Sequence, residues 1–455
     1  MRNTFLLLLL FTFNCYTVFS QSSKPNIIFI LADDLGYGDL EVYGQDFIET
    51  PNLNQLSENG VTFTEHYAGS TVCAPSRASL LTGMHTGHSP IRGNHEKFPQ
   101  GQFPLPDSTV TIAQLLQENG YHTNVIGKWG LGFPSSSGIP SLQGFDNFFG
   151  YNCQRKAHGY YPRKLWDNLD ITKEYKGEYS HSVFTDKALE YIEEKSKEPF
   201  FLYLAYTIPH AKLQIPKEKT THYIDKIKTD STLSKLGPLK KKHTIKYASM
   251  VSLMDEDIGR IVHKLDSLNL LENTIIIFSS DNGPHSERGY NPKILNSSGG
   301  LRGKKRDLYE GGIKIPHIVS WKGTVEAGQV SNHVSAHWDF FPTVTDILDI
   351  PNPKGIDGIS YLPTLLNSGD QKKHEYLYWE FHGKRGRQAV LSDQWKLIKY
   401  KVNSSHPQLE LYNLSSDPSE SKNVILENMQ MVEKLKKMMN SAHSGNRVFK
   451  FKFDK

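Results

Sequence analysis

The chain has 455 residues, 38% of them hydrophobic and 11% aromatic, enough for a large domain plus a smaller one. Lys and Arg number 52 against 48 Asp and Glu, and a net charge of +4 is too balanced to argue for nucleic acid. Beyond the first twenty residues only Cys73 and Cys153 remain, too few for a fold held by disulfides.

Arg2 precedes the apolar run Phe5–Phe11, and Val18 and Ser20 fit a signal-peptidase site. That run is shorter than the ~20 residues of a membrane span. Residues 1–20 are therefore read as a signal peptide. The mature chain, from Gln21, is expected to be periplasmic or secreted, with no transmembrane segment.

Strands buried on both faces are expected at Asn26–Ala32, Phe200–Tyr206, Thr274–Ser280 and His317–Trp321, each rich in Ile, Phe, Leu or Val. Helical spacing marks Thr111–Asn119 and Tyr247–Leu268. Alternating strands and helices predict an α/β fold with a mostly parallel sheet. Ligands in such sheets bind beyond the carboxyl ends of the strands. That places Asp33-Asp34, Pro209-His210 and Asp281-Asn282-Gly283 at the expected site. The stretch Lys212–Lys246 holds ten lysines and reads as a solvated, mobile insertion, with a polyanion dock as the other reading. A Pro/Gly/Asp-rich segment, 350–358, divides a catalytic region (21–350) from a C-terminal subdomain (351–455). The latter carries strand patterns at Tyr376–Phe381, Gln388–Leu391, Trp395–Tyr400 and Glu410–Asn413. A helix from about Glu427 to Asn440 follows, giving a small antiparallel sheet closed by a helix.

The most specific motif is Cys73-Ala-Pro-Ser-Arg77, continuing Ala-Ser-Leu-Leu-Thr-Gly83. Pro75 fits the first position of a helix, so Cys73 lies at a helix N-terminus, which favours anions. Adjacent carboxylates such as Asp33 and Asp34 repel unless a cation lies between them. Their hard oxygens suit calcium, with magnesium as second choice.

This set resembles the formylglycine-dependent sulfatases of the alkaline-phosphatase-like superfamily, whose Cys-x-Pro-Ser-Arg signature is read by a maturation enzyme that oxidises the cysteine to formylglycine. The resemblance runs from Asn26 into the C-terminal region. It implies a hydrated aldehyde at position 73, one of whose hydroxyls attacks sulfur while the other later expels sulfate. It implies metal ligation by Asp33, Asp34, Asp281, Asn282 and the modified residue 73. Arg77 would hold the hydrated aldehyde, Lys128 in Gly127-Lys-Trp-Gly130 the sulfate, and Lys304 in Arg302-Gly-Lys-Lys-Arg306 the sulfate and the leaving oxygen. Lys305 and Arg306 are then expected to be structural or solvent-facing. His210 would bind sulfate or protonate the leaving group.

One position departs from the family. Many members carry histidine where this chain has Gly130, and His85, His88, His95 and His285 are possible stand-ins. Candidate substrate contacts are Arg92, Asn94, His95, His285, Glu380, His382 and Arg387, whose polarity suits a sugar. The expected activity is hydrolysis of O-sulfate esters on a sulfated carbohydrate. Two alternatives are a formylglycine-dependent phosphodiesterase or phosphonate monoester hydrolase, and a silent sulfoglycan-binding protein.

Overall fold

The structure is a computed structural model that describes residues 24–175 and 177–454; the expected signal segment 1–20 lies outside the described residues. Strand β1 (Asn26–Asp33) lies within the main sheet, with all eight residues buried. Its side chains alternate between two cores, as the twofold period of a strand requires. Ile28, Ile30 and Ala32 join Met250, Met254 and Ile258 of the helix Pro238–Ser267. Ile27, Phe29 and Leu31 join Ala78, Leu80 and Leu81 of the helix Cys73–Thr82 on the opposite face.

The further strands in chain order are β2 (Gly60–Phe63), β3 (His66–Tyr67), β4 (His122–Lys128), β5 (Asn147–Tyr151), β6 (Lys164–Asp167), β7 (Asp170–Glu174), β8 (Phe200–Pro209), β9 (Thr274–Ser280), β10 (His317–Ser320), β11 (Gln329–Ser331) and β12 (Ser335–Ala336). Ten of them form one sheet in the order β11-β2-β10-β9-β1-β8-β4-β5-β6-β7, while β3 pairs with β12. The stretch from β9 to β5 is parallel throughout. Asp33, Lys128, Pro209 and Ser280 therefore all finish at one edge. β10 runs antiparallel to both its neighbours, so His317–Trp321 is a buried strand of reversed direction rather than a parallel one.

A second sheet, β13 (Leu377–Phe381), β14 (Arg387–Ser392), β15 (Trp395–Tyr400) and β16 (Gln408–Asn413), is antiparallel throughout. One face packs Leu377, Trp379 and Ile398 against Tyr67, Leu308 and Trp338 of the main body. The other packs Tyr378, Val390 and Leu397 under Val432, Leu435 and Met439 of the helix Met429–Ser441.

The lysine-rich stretch is built largely of helix, with many of its lysines exposed. It carries the helix Thr221–Thr229 and the first turns of the 30-residue helix, which begins nine residues before the expected Tyr247. Lysine is a good helix former, and Lys219 and Lys226 pair with Glu256 and Glu49. No helix among the described residues is long and apolar enough to cross a membrane.

Candidate active site

The helix Cys73–Thr82 starts two residues earlier than Pro75 suggests, with Val72 as its cap and Cys73 as its first residue. Its amides are mostly engaged. Ala74 donates to Asn94 Oδ1 at 3.0 Å, Pro75 has no N–H, and Ser76 donates to the Val72 carbonyl. Anion binding therefore falls to side-chain cations. Burial pushes the Cys73 thiol up to about 12, although Lys128 and Lys305 pull the other way. As a cysteine it stays protonated and is a poor nucleophile at neutral pH.

Cys73 Sγ lies 3.6 Å from Asp33 Oδ1. Asp34 follows at the end of β1 with φ of 66°, a left-handed conformation uncommon outside glycine. Its N–H donates to Asp281 Oδ1 at 3.0 Å, joining the turn after β1 to the turn after β9. Asn282 Nδ2 donates to Asp34 Oδ1 at 2.7 Å and to the Gly283 carbonyl, while its Oδ1 is buried without a hydrogen-bond partner.

Three buried cations face these three buried carboxylates. Arg77 donates to Asp281 Oδ2 through Nε and Nη2, at 3.1 and 2.8 Å, and to the Lys128 carbonyl through Nη1. Lys128 Nζ lies 2.9 and 2.7 Å from the two oxygens of Asp33. Lys305 Nζ lies 2.7 Å from Asp34 Oδ2 and 2.8 Å from His210 Nε2. Burial raises Asp281, and the neighbouring Asp33 carboxylate adds to this, against Arg77 and the two lysines.

Lys305, not Lys304, is thus the second lysine of the site, and its reading as structural or solvent-facing is overturned. The backbone explains the shift by one residue. Lys305 N–H donates to the Pro284 carbonyl and Arg306 N–H to the Thr71 carbonyl, drawing the Gly303–Asp307 turn onto the site. Lys304 is only half-buried, and Arg306 reaches outward to Glu287 at 2.7 Å. Glu287 is held down to about 2: burial opposes its charge, but Lys305 and Arg306 outweigh that.

His210 Nδ1 faces the Ala211 carbonyl at 2.5 Å, which fixes N–H there and leaves Nε2 as the acceptor from Lys305. His158, which the sequence reading missed, lies flat against it. Burial lowers His158 to about 3, with Lys128 and Lys305 adding to the effect. His158 has no motif around it and ends the short 3-10 helix Lys156–His158 after β5, so only the fold could reveal it.

Gly130 has φ of 78°, and a Cβ there would meet Gln154 Nε2 at 2.8 Å. Gln154 is buried and its Nε2 has no hydrogen-bond partner, so this amide fills the space beside Gly130. The expected stand-ins lie elsewhere or are engaged. His85 and His88 meet Asp357 beyond the far end of the helix, at 3.6 and 2.7 Å. His285 accepts from Glu287 N–H at Nδ1 and faces the Pro209 carbonyl at Nε2. His95 stacks on Phe103.

Asn94 and His95 are exposed and adjoin the helix start at Ala74. The other expected substrate contacts spend most of their polar groups on the protein, although His382 Nδ1 is buried without a hydrogen-bond partner. Arg92 donates to Glu380, Ser89 and Ser444. Glu380 also meets His382, His443 and Tyr378. Arg387 donates to the Arg306 carbonyl and to Asp307.

A mostly parallel sheet with buried acids and cations interleaved beyond its carboxyl ends places the molecule in the alkaline-phosphatase-like class. More narrowly, the chain belongs to the sulfatase family, whose model matches residues 25–350, and it is a sulfuric ester hydrolase. Residues 303–445 match the C-terminal family of N-sulphoglucosamine sulphohydrolase. The chain is 31% identical to an N-acetylgalactosamine-6-O-sulfatase of Bacteroides thetaiotaomicron, over 93% of this chain and 94% of that protein. It is 30% identical to human arylsulfatase A, over 88% and 83% of the two chains. The solved structure of Ps i-CgsB with a neocarrahexaose superposes with a TM-score of 0.79 at 28% identity, covering 92% of this chain and 93% of that one.

Proposed function

We propose that this sulfatase removes O-sulfate from a sulfated carbohydrate outside the cytoplasm, using formylglycine made from Cys73 and a calcium ion. The observation that carries the reading is the balanced buried charge around Cys73. Asp33, Asp34 and Asp281 are offset by Arg77, Lys128 and Lys305, so a divalent cation would leave the centre positive toward an anionic ester. The residues fit such an ion. Asn282 Oδ1 is a buried acceptor with no partner, and three carboxylates converge with it, an all-oxygen set that suits calcium. Asp33, Asp34, Asp281, Asn282 and residue 73 would hold it, where it would supply Lewis acidity. The buried, protonated thiol also fits a residue that works only after conversion, since formylglycine supplies a hydroxyl nucleophile that a cysteine does not.

The remaining chemistry is assigned to side chains of this chain. Lys128 and Lys305 neutralise charge on the transferring sulfuryl group, and Arg77 fixes Asp281 and the end of β4. Lys305 and His210 form a hydrogen-bonded pair that can hand a proton to the leaving oxygen. Neither Gly130 nor Gln154 can accept a proton, so His158 is the neutral base nearest the pair. A carbohydrate substrate is supported by the sugar named for the Bacteroides relative and by the oligosaccharide bound to Ps i-CgsB.

The test is inorganic sulfate release from a panel of sulfated mono- and oligosaccharides. Protein would be co-expressed with a formylglycine-generating enzyme and assayed with calcium and with chelator, beside matched aryl phosphodiesters and phosphonates. Calcium-dependent release from a sugar is the expected result. No release, with the aldehyde verified at position 73, would overturn the reading.

A further inference from the structure

A chain of contacts links the C-terminal segment beyond the helix Met429–Ser441 to the start of the helix Cys73–Thr82. Asn94 caps Ala74, and the neighbouring His95 ring lies 6.2 Å from Phe449. Phe449 lies 6.1 Å from His382, whose ring stacks on Phe451 at 4.2 Å. Phe451 closes on Gly386, at the end of the turn that holds Lys384 and Arg385. Backbone bonds extend the surface: Lys452 N–H donates to Asn403 Oδ1 at 2.7 Å, and Asn403 N–H to the Arg385 carbonyl at 2.8 Å.

Five cations are exposed on this surface: Lys384, Arg385, Lys401, Lys450 and Lys452. None of them forms an ion pair among the described residues. Two carboxylates lie beneath it: Asp454 is taken by His443 and by the Phe451 N–H, and the buried Glu380 by Arg92, His382, His443 and Tyr378. Lys384, Arg385 and Lys401 also hold left-handed backbone, with φ of 52°, 70° and 53°. Glycine or asparagine would suit those positions better, so the cationic side chains stand there against backbone preference. Phe453 is 52% exposed among them, with Lys399 Nζ 5.7 Å from its ring centre. In the lysine-rich stretch Lys219, Lys226 and Lys228 pair with carboxylates, while Lys235, Lys240 and Lys242 are exposed without one among the described residues, so what sets the C-terminal surface apart is its chain of contacts to the cysteine helix.

We propose that this unpaired basic and aromatic surface is a second anion-binding site, which holds further sulfate groups of a polysulfated glycan while another sulfate of the same chain lies at residue 73. The inference rests on the sulfatase reading and narrows its substrate to chains carrying several sulfates. Lysine and arginine bind the distant sulfates as point charges, and the exposed Phe453 face stacks on a sugar ring.

Two measurements on the full chain test it. The variant combines Lys384→Asn, Arg385→Asn and Lys452→Gln, asparagine being chosen because it tolerates left-handed backbone. Its unchanged circular dichroism and melting temperature would be verified first; if it unfolds, Lys450→Gln with Lys452→Gln replaces it. In the first measurement, binding of a heparin-derived hexasaccharide is titrated by calorimetry at low and high salt, independently of turnover. The variant is expected to bind about tenfold or more weakly, with a flatter salt dependence. In the second, kcat/KM is compared on a monosulfated monosaccharide and on an oligosaccharide bearing the same sulfate plus others. The variant is expected to lose only the advantage of the oligosaccharide. Equal binding by variant and wild type, or equal loss on both substrates, would overturn the inference. Surface-dependent binding without any sulfate release would overturn the sulfatase reading and leave the second site standing.

Discussion

The rings of His158 and His210 lie face to face, 4.1 Å between centres and 18° from parallel. Burial lowers both, and the ammonium groups of Lys128 and Lys305 lower them further. A lowered histidine pKa leaves the neutral form populated above the folded value, and His158 falls to about 3. The pH profile of kcat/KM should therefore show no limb at the ordinary imidazole value of about 6.5. His158→Ala should lower kcat by less than the ~100-fold lower range for a matched general base, because a ring lowered to about 3 accepts a proton weakly at neutral pH. A limb near that ordinary value that disappears in His158→Ala would mean the ring keeps its ordinary value in the free enzyme, against the lowering by burial.

Lys305→Ala and Lys304→Ala should separate cleanly. The first removes the ammonium between Asp34 and His210 and should cost about 10²–10³ in kcat, the range for a lost electrostatic stabiliser. Lys304→Ala should stay near wild type. Steady-state kinetics on one sulfated substrate decides this, and the reverse ranking would contradict the site.

Calcium should stabilise the chain. A ligand at about 100 times its Kd adds about 2.7 kcal/mol to unfolding. The melting temperature should rise with calcium and fall with chelator, and Asn282→Ala and Asp281→Ala should abolish most of that shift. An unchanged shift in both variants would remove these residues from the metal site.

Glu380 is a buried hub whose carboxylate accepts from Arg92, His382, His443 and Tyr378. Burial opposes its charge, but His382, His443 and Arg92 hold it well below the usual carboxylate range. The folded value is the lower one, so its contribution is present above the unfolded value of about 4.3 and is lost as pH falls toward the folded value. Glu380→Ala strands the Arg92 charge and should cost about 3–5 kcal/mol in urea unfolding at pH 7. The difference from wild type should narrow below about pH 4.

Cys73→Ser should keep the fold and substrate binding but lose multiple turnover, read as sulfate released per enzyme over time. Full turnover in that variant would remove formylglycine from the mechanism.

The strands whose apolar character fills both faces were legible from sequence. Thr274–Ser280 ends where its pattern ends, and the four C-terminal strands fall within a residue or two of their patterns. β4 was not legible, because it opens His122-Thr-Asn and buries Thr123 by a hydrogen bond to the Gly144 carbonyl instead of by hydrophobicity. The adjacent acids and the cysteine helix could be read because each lies in a short contiguous motif. Lys305 could not be distinguished from Lys304 until the turn was seen, since neighbouring residues of one type carry no directional signal. Arg92 and Glu380 look like substrate groups by chemistry alone, yet each meets partners hundreds of positions away in the chain.

The dispersal of the site along the chain also sets an order of events in folding. β1 is paired with β9, and Asp34 receives its partners Asp281 and Asn282 from residues some 247 and 248 positions later. Contacts of such separation form late, because a long loop must close before any of them is rewarded. During synthesis the cysteine helix is therefore made long before the strands that enclose it. Cys73, 1% exposed once the sheet is complete, is open to another protein only in that interval. A protein that had to enclose that side chain would meet an unfinished fold, and the speed of sheet closure would bound the time available to it.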